Sequence, residues 1–347
     1  MKKVLLTAAS AALLLCSCEK EQTGHQSYPQ KGAETYDLSF DFPGVVPMTK
    51  VTLASDELSA EASVSSVQVM VYGEKGLENS ARFTSLTGNK MKVTKGVKTV
   101  VAVANWAGDL TKSEDKAAVY ATATALGDNP ISGATAGQFV MSGESSVTVD
   151  GATSCTVNLE RIASKFLLRK VSIELNSAFS ASDLVIDRVF VDNAVVNATL
   201  GGAKASLAPT DFENQRGGSL SGGVWAWNGS GAHVAWTAWT VPSGTTSWGQ
   251  KLYAYPNPTT TDNRDASGAF TVRKTRIVVE ATLKGKKTYY PYTFDSAILR
   301  NHYYEITDLK ITGAGVDNPE DLPEKSETSF TISVKPWVSG GSTNVEI

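Results

Sequence analysis

Cysteine, histidine and charge are all scarce in this sequence, and each shortage closes off a class of function. Three cysteines and three histidines occur in 347 residues. His25, His233 and His302 stand alone, with no second ligand at metal spacing and no His-Glu-x-x-His, so no metal site is expected. Charged residues make up 19 % and the formal net charge is −3. With no basic stripe carrying interleaved aromatics, nucleic acid is not an expected partner. Gly217-Gly218 and Gly222-Gly223 lack the strand-to-helix setting and the Lys-Ser/Thr of a phosphate loop. Gly143-Glu144-Ser145-Ser146-Val147 lacks the closing glycine of a nucleophile elbow. No enzyme activity and no cofactor are expected.

Apart from one segment, long apolar runs are missing too. That segment opens the chain: Lys2 and Lys3, then Val4 to Leu15, too short to span a bilayer and suited to an export signal. Leu15-Cys16-Ser17-Cys18 follows and resembles a bacterial lipobox, which makes Cys18 the lipidated first residue of the mature chain. An ordinary signal peptide with stray cysteines is the other reading. An acylated Cys18 would be a strong membrane anchor, since each buried methylene contributes about 0.8 kcal/mol. Losing Lys2 and Lys3 with the leader leaves 30 basic against 35 acidic residues, a net −5. Cys155 is then the only thiol, unable to form an internal disulfide, and its alternating surroundings place it on an apolar face.

What is abundant is the material of β-structure. After a polar tether from Glu19 to Gly32, Tyr36, Leu38, Phe40 and Phe42 alternate with Asp37, Ser39 and Asp41 and stop at Pro43-Gly44. Val67, Val69 and Val71 alternate again, and Lys98 to Ala104 reads as a strand buried on both faces. Phe166 to Leu175 changes phase between Leu168 and Val171, which predicts a bulge. Leu184 to Val191 reads as a bent strand or a strand pair. Ile277 to Leu283, Lys284-Gly285-Lys286 and Tyr290 to Phe294 predict a hairpin, with Pro291 favouring an edge or a bulge. Tyr303 to Ile311 and then Phe330, Ile332 and Val334 close the series. One helix is predicted, capped by Ser113 and running from Ala117 to Leu126.

These spacings predict an all-β chain of two tandem β-sandwich domains with one short helix, after a lipoprotein signal peptide. The expected divisions are a leader over 1–17, a tether over 18–33, one sandwich over 34–160 and a second over 161–347. A cluster of five tryptophans, Trp225, Trp227, Trp236, Trp239 and Trp248, lies within 24 residues. Trp225, Trp227, Trp236 and Trp239 are candidates for stacking on sugar rings, against the plainer reading of an insertion packing its own small core.

Several stretches in order resemble the fimbrillins, lipoprotein subunits of the type V pili of Bacteroidales-type bacteria. They are Val64 to Val69, Lys98 to Asn105, Phe139 to Gly143 and Leu159-Glu160-Arg161-Ile162-Ala163-Ser164-Lys165. Leu252 to Asn257, Leu299-Arg300-Asn301-His302-Tyr303-Tyr304 and Val334-Lys335-Pro336-Trp337 continue the series. The resemblance implies transthyretin-like, Greek-key sandwiches and a precursor lipid-anchored in the outer membrane. A trypsin-like protease would cut the loop after the first strand, where Lys50 stands; the family's better-known members carry Arg there. Loss of the strand bearing Tyr36, Leu38, Phe40 and Phe42 would open a groove. A neighbour's C-terminal strand would fill it, drawing on Phe330, Ile332, Val334, Trp337, Val345 and Ile347. The implied partners are further copies of the chain and other fimbrial subunits on the cell surface. A glycan-binding lipoprotein or tip adhesin using the tryptophan cluster is the alternative function.

Overall fold

The computed structural model describes residues 33–43, 46–47, 59–129, 138–176, 178–214, 237–246, 248–261, 272–319 and 328–337. Cys18, Lys50, Trp225, Trp227, Trp236, Val345 and Ile347 lie outside them. Nearly every regular element is a strand, as the composition requires, and two pairs of sheets follow one another along the chain.

The first pair is built from seven strands. They are β1 (Thr35–Asp41), β2 (Val67–Gly73), β3 (Gly76–Phe83), β4 (Lys90–Thr94), β5 (Gly96–Ala104), β6 (Met141–Val149) and β7 (Thr153–Thr156). One sheet has the order β7-β1-β4, and the other runs β6-β5-β2-β3 with Glu160–Arg161 added at the β6 edge. The alternation seen in Val67, Val69 and Val71 understates β2: Gln68, Met70 and Tyr72 are buried as well. Gln68 can be buried because its side-chain amide is satisfied, donating to Gly108 O at 2.8 Å and accepting from Leu110 N at 2.8 Å.

The second pair contains β8 (Ser164–Leu168), β9 (Val171–Ile173), β10 (Leu184–Asp192), β11 (Ala238–Thr240) and β12 (Lys251–Ala254). It is completed by β13 (Arg276–Leu283), β14 (Lys286–Thr293), β15 (His302–Ile311) and β16 (Thr328–Pro336). One sheet runs β12-β8-β15-β16, with β9 continuing beside β15 beyond the break at Arg169-Lys170. The other runs β11-β10-β13-β14. The phase change read in Phe166 to Leu175 is this break. Leu184 to Val191 is one strand bent by a register shift between Ile186 and Arg188. Lys284 and Gly285 turn the β13–β14 hairpin at positive φ (48° and 82°), the two-residue geometry that matches strand twist. Pro291 sits in β14, the edge strand, where its missing N–H removes no bond from the interior of the sheet.

Two helical turns matter below: α1 (Ser59–Ala62) and α2 (Lys116–Ala121). The helix read from Ala117 to Leu126 is corrected by the structure. It ends at Ala121, its cap is Asp115 rather than Ser113, and Asp115 Oδ1 accepts from Ala117 N at 2.9 Å. The next residues, Ala123–Ala125, pair as a strand with Asn197–Thr199, so a tertiary strand pairing overrides the alanine-rich helix propensity.

Among the described residues two large apolar cores result, beside a small cluster of Phe190, Ala238 and Val278. The second holds Phe166, Phe294, Tyr304, Ile306 and Leu309 between its sheets. The first fills the leading sandwich and continues past it, taking in Val195, Val196, Ala198, Tyr253, Tyr255, Tyr303 and Trp337 from the following half. Tyr255 shows how the shared part is satisfied: its hydroxyl meets Thr124 at 3.0 Å, Ala125 O at 2.9 Å and Asn129 at 3.1 Å.

Candidate functional site

Strand β1 is central in its sheet. It pairs antiparallel with β4 from Thr35↔Thr94 to Ser39↔Lys90, and parallel with β7 from Leu38↔Thr153 to Asp41↔Thr156. Its inner face is the predicted one. Leu38, Phe40 and Phe42 are buried, Phe40 stands 6.3 Å from Phe83, and Tyr36 is half-buried against the same core. Among the described residues the outer face makes polar contacts at the surface. Asp37 pairs with Lys92 at 2.7 Å and Lys90 at 3.4 Å, and the hydrogen bond from Lys92 lowers its carboxyl pKa. Ser154 Oγ donates to Asp41 at 2.7 Å. Burying the three inner side chains contributes roughly 5–9 kcal/mol, at about 1.5–3 each. The strand is well seated, yet no side chain on it reaches the second sandwich through a hydrogen bond or ion pair among those just described.

Cys155 lies directly opposite Phe40 on β7 and is buried, and desolvation raises its thiol pKa. That environment suits packing and opposes nucleophilic use. Among the described residues no group of three or more His, Cys, Asp or Glu side chains is placed to hold a metal. Trp239 and Trp248 meet edge to face at 5.7 Å and are half-buried against the second core.

The last strand, β16, is an edge strand. Among the described residues it pairs with β15, from Ile311↔Thr328 to His302↔Pro336, with one register shift between Ile306 and Asp308. Trp337 follows it and is 3 % exposed. Its ring lies between Phe139 at 5.0 Å and Tyr253 at 5.9 Å, the latter stacked. The Arg161 guanidinium and the Lys165 ammonium each lie 4.6 Å from the Trp337 ring. Trp337 N donates to Asn301 O at 2.6 Å, and Arg161 Nη1 donates to Trp337 O at 2.7 Å.

The carboxylate that pairs with Lys165 comes from α1. Glu61 is 0 % exposed and Lys165 2 %. Glu61 Oε2 pairs with Lys165 Nζ at 2.8 Å, and Glu61 Oε1 accepts from the Tyr253 hydroxyl at 2.6 Å. Its main-chain oxygen accepts from Arg161 Nε at 2.7 Å. A buried carboxylate is thus held by an ammonium and a phenol, as charges at such depth require. Burial, and after it the Glu61 carboxylate, push the Tyr253 phenol pKa well up. Four of the stretches that carried the family resemblance meet here: those holding Phe139, Arg161 and Lys165, Tyr253, and Asn301 and Tyr303, with Trp337 from a fifth. The spacing of each motif alone gave no role to these residues. Glu61 drew no notice in the sequence, because a lone glutamate in Ser59-Ala60-Glu61-Ala62 looks like any solvated side chain.

Residues 37–163 match the family model described as major fimbrial subunit protein (FimA). Among solved structures the fold is similar to a fimbrilin (FimA) from Porphyromonas gingivalis W83, with a TM-score of 0.61 and 17 % identity, covering 89 % of this chain and 99 % of that one. It is equally similar to a candidate cell adhesion protein from Bacteroides eggerthii, with a TM-score of 0.61, 19 % identity and coverage of 88 % and 97 %. The tip fimbrial protein Mfa3 from Porphyromonas gingivalis gives a TM-score of 0.52 at 14 % identity, with coverage of 86 % and 99 %. No curated protein matches the sequence. The chain therefore has the all-β fold of these proteins over most of its length. In particular, the fimbrillin resemblance read from its motifs is borne out, and the fimbrial-subunit signature falls on the sandwich that contains β1.

Proposed function

We propose that the protein is a structural subunit, of the stalk, in a cell-surface fimbria. It is exported as a lipoprotein anchored to the outer membrane through Cys18. A trypsin-like protease cuts after Lys50, β1 leaves, and the C-terminal segment of a second copy takes its place. The observation that carries this reading is the position of β1 between β4 and β7. Removing a central strand leaves two unpaired strand edges and an apolar floor once covered by Leu38, Phe40 and Phe42, a slot shaped for one added strand. An edge strand such as β16 would leave no slot of this kind. Filling the slot restores backbone pairing on both sides, so the polymer holds without covalent links. The chain acts by assembly and carries no catalytic role in this reading.

The test uses protein beginning at Glu19, treated briefly with trypsin and run on SDS gels without boiling, with intact mass locating the cut. A cut after Lys50 and a ladder that collapses on boiling is the expected result. A clean cut there that yields only monomers contradicts self-assembly.

A further inference from the structure

Away from the joint formed by Glu61, Arg161, Lys165 and Trp337, a cleft of about 560 Å³ opens where the two pairs of sheets meet. That volume lies in the range of small-molecule sites, which favour such meeting points of domains. Tyr120 of α2 and Glu144 of β6 line it and are tied to each other. Glu144 Oε2 accepts from the Tyr120 hydroxyl at 3.0 Å, and Oε1 accepts from Lys116 Nζ at 2.7 Å. Asn158 and Glu160, on the link between the two halves, line it as well, together with Arg300. Arg300 Nη2 donates to Glu160 O at 2.7 Å and to Ser142 O and Oγ at 3.0 Å each. The guanidinium is therefore fixed in place before any ligand arrives, which lowers the ordering cost of binding. Gly201 completes the lining without a side chain; a Cβ there would stand 3.1 Å from Tyr120 Cβ.

Several polar groups of the lining are left over by this frame. Among the described residues the Glu160 carboxylate accepts no hydrogen bond; it is 55 % exposed and makes one ion pair, to Arg300 Nε at 3.5 Å. Asn158 is exposed, and its side-chain amide bonds to no described residue. Arg300 Nη1 has one long contact, to Gly201 O at 3.4 Å, and the buried Nε has no hydrogen-bond partner. A carboxylate accepts from hydroxyls, an amide both donates and accepts, and a guanidinium donates. Lys116 and Arg300 balance Glu144 and Glu160, so no net charge selects an anion or a cation. We propose that this cleft binds a neutral saccharide unit, whose adjacent hydroxyls donate to Glu160 and accept from Asn158 and Arg300 Nη1. The site is separate from the tryptophan cluster. It is also independent of strand exchange, since no lining residue lies on β1, β4 or β7.

The test titrates uncut protein beginning at Glu19 with methyl α-D-mannoside, methyl β-D-galactoside, N-acetylglucosamine and lactose. Calorimetry reads the affinity, and saturation-transfer NMR reads the weakest of the four. At least one sugar should bind with a Kd of about 1 mM or tighter. Glu160→Ala should weaken that binding about tenfold and Asn158→Ala about threefold, as lost hydrogen bonds to a charged and a neutral group do. Neither change should move the thermal midpoint, because one side chain makes a single half-exposed ion pair and the other makes none. Failure of all four sugars to bind overturns the proposal, as does binding that neither variant weakens. Binding that is lost in Trp239→Ala and kept in Glu160→Ala puts the sugar on the tryptophans and overturns it equally. None of these results bears on strand exchange, which the proteolysis experiment tests by itself.

Discussion

The first and last strands of this chain are held in opposite ways. β1 has a neighbour on each side and an apolar inner face, but its outer contacts are exposed pairs such as Asp37 with Lys90 and Lys92. Among the described residues β16 has a neighbour on one side, yet it is followed by Trp337, whose ring is enclosed by two cations, a tyrosine and a phenylalanine. Counting backbone partners alone would make β16 the loose strand. Trp337, just after β16, adds an anchor that such a count misses, because exposed ion pairs like those of Asp37 contribute little whereas removing one partner from a buried charge cluster is costly.

That contrast can be broken at several points. The largest effect is expected from Glu61→Ala, which removes the buried carboxylate that pairs with Lys165 and accepts from Tyr253. Urea unfolding should show a loss of about 3–5 kcal/mol, in uncut and cut protein alike. Phe40→Ala should cost about 3 kcal/mol in the uncut protein and nothing in the assembled polymer, where β1 is gone. An equal loss in both states would mean that β1 remains. Gly143→Ala places a methyl 2.1 Å from Asn158 O, where β6 runs against the segment after β7. A loss of about 1–3 kcal/mol is expected, read by the same titration. Cys155 should resist thiol reagents at pH 8 in the uncut protein, since burial raises its pKa and shields it. Labelling should become faster once β1 has left and slow again in the polymer. The smallest effect is Asp37→Asn: it removes two exposed pairs and should leave the urea midpoint unchanged within error.

The alternation of Tyr36, Leu38, Phe40 and Phe42 revealed β1 and its buried face, because a half-buried strand writes its two faces directly into a period of two. The same signal found the β13–β14 hairpin, where Lys284-Gly285 supplies the turn and Pro291 marks the edge. It failed for the segment after Lys116. There the composition favours helix, but Ala123–Ala125 gains more by pairing with Asn197–Thr199, a partner more than 70 residues away. The joint was legible only as scattered pieces. Arg161, Lys165, Tyr253, Asn301 and Trp337 lay in the stretches that resembled a family, and nothing in their spacing shows that they converge. Glu61 was invisible for a physical reason: a buried charge is recognised by its partners, and those lie 100 to 192 residues further along the chain.

The most direct measurement is hydrogen–deuterium exchange of the β4 and β7 amides, residues 90–94 and 153–156, in three states: uncut, cut, and assembled. Strand exchange predicts protection in the uncut protein, rapid exchange just after the cut, and protection restored as polymers form. Amides of β4 and β7 that stay protected after the cut, or that never regain protection in the polymer, would contradict it.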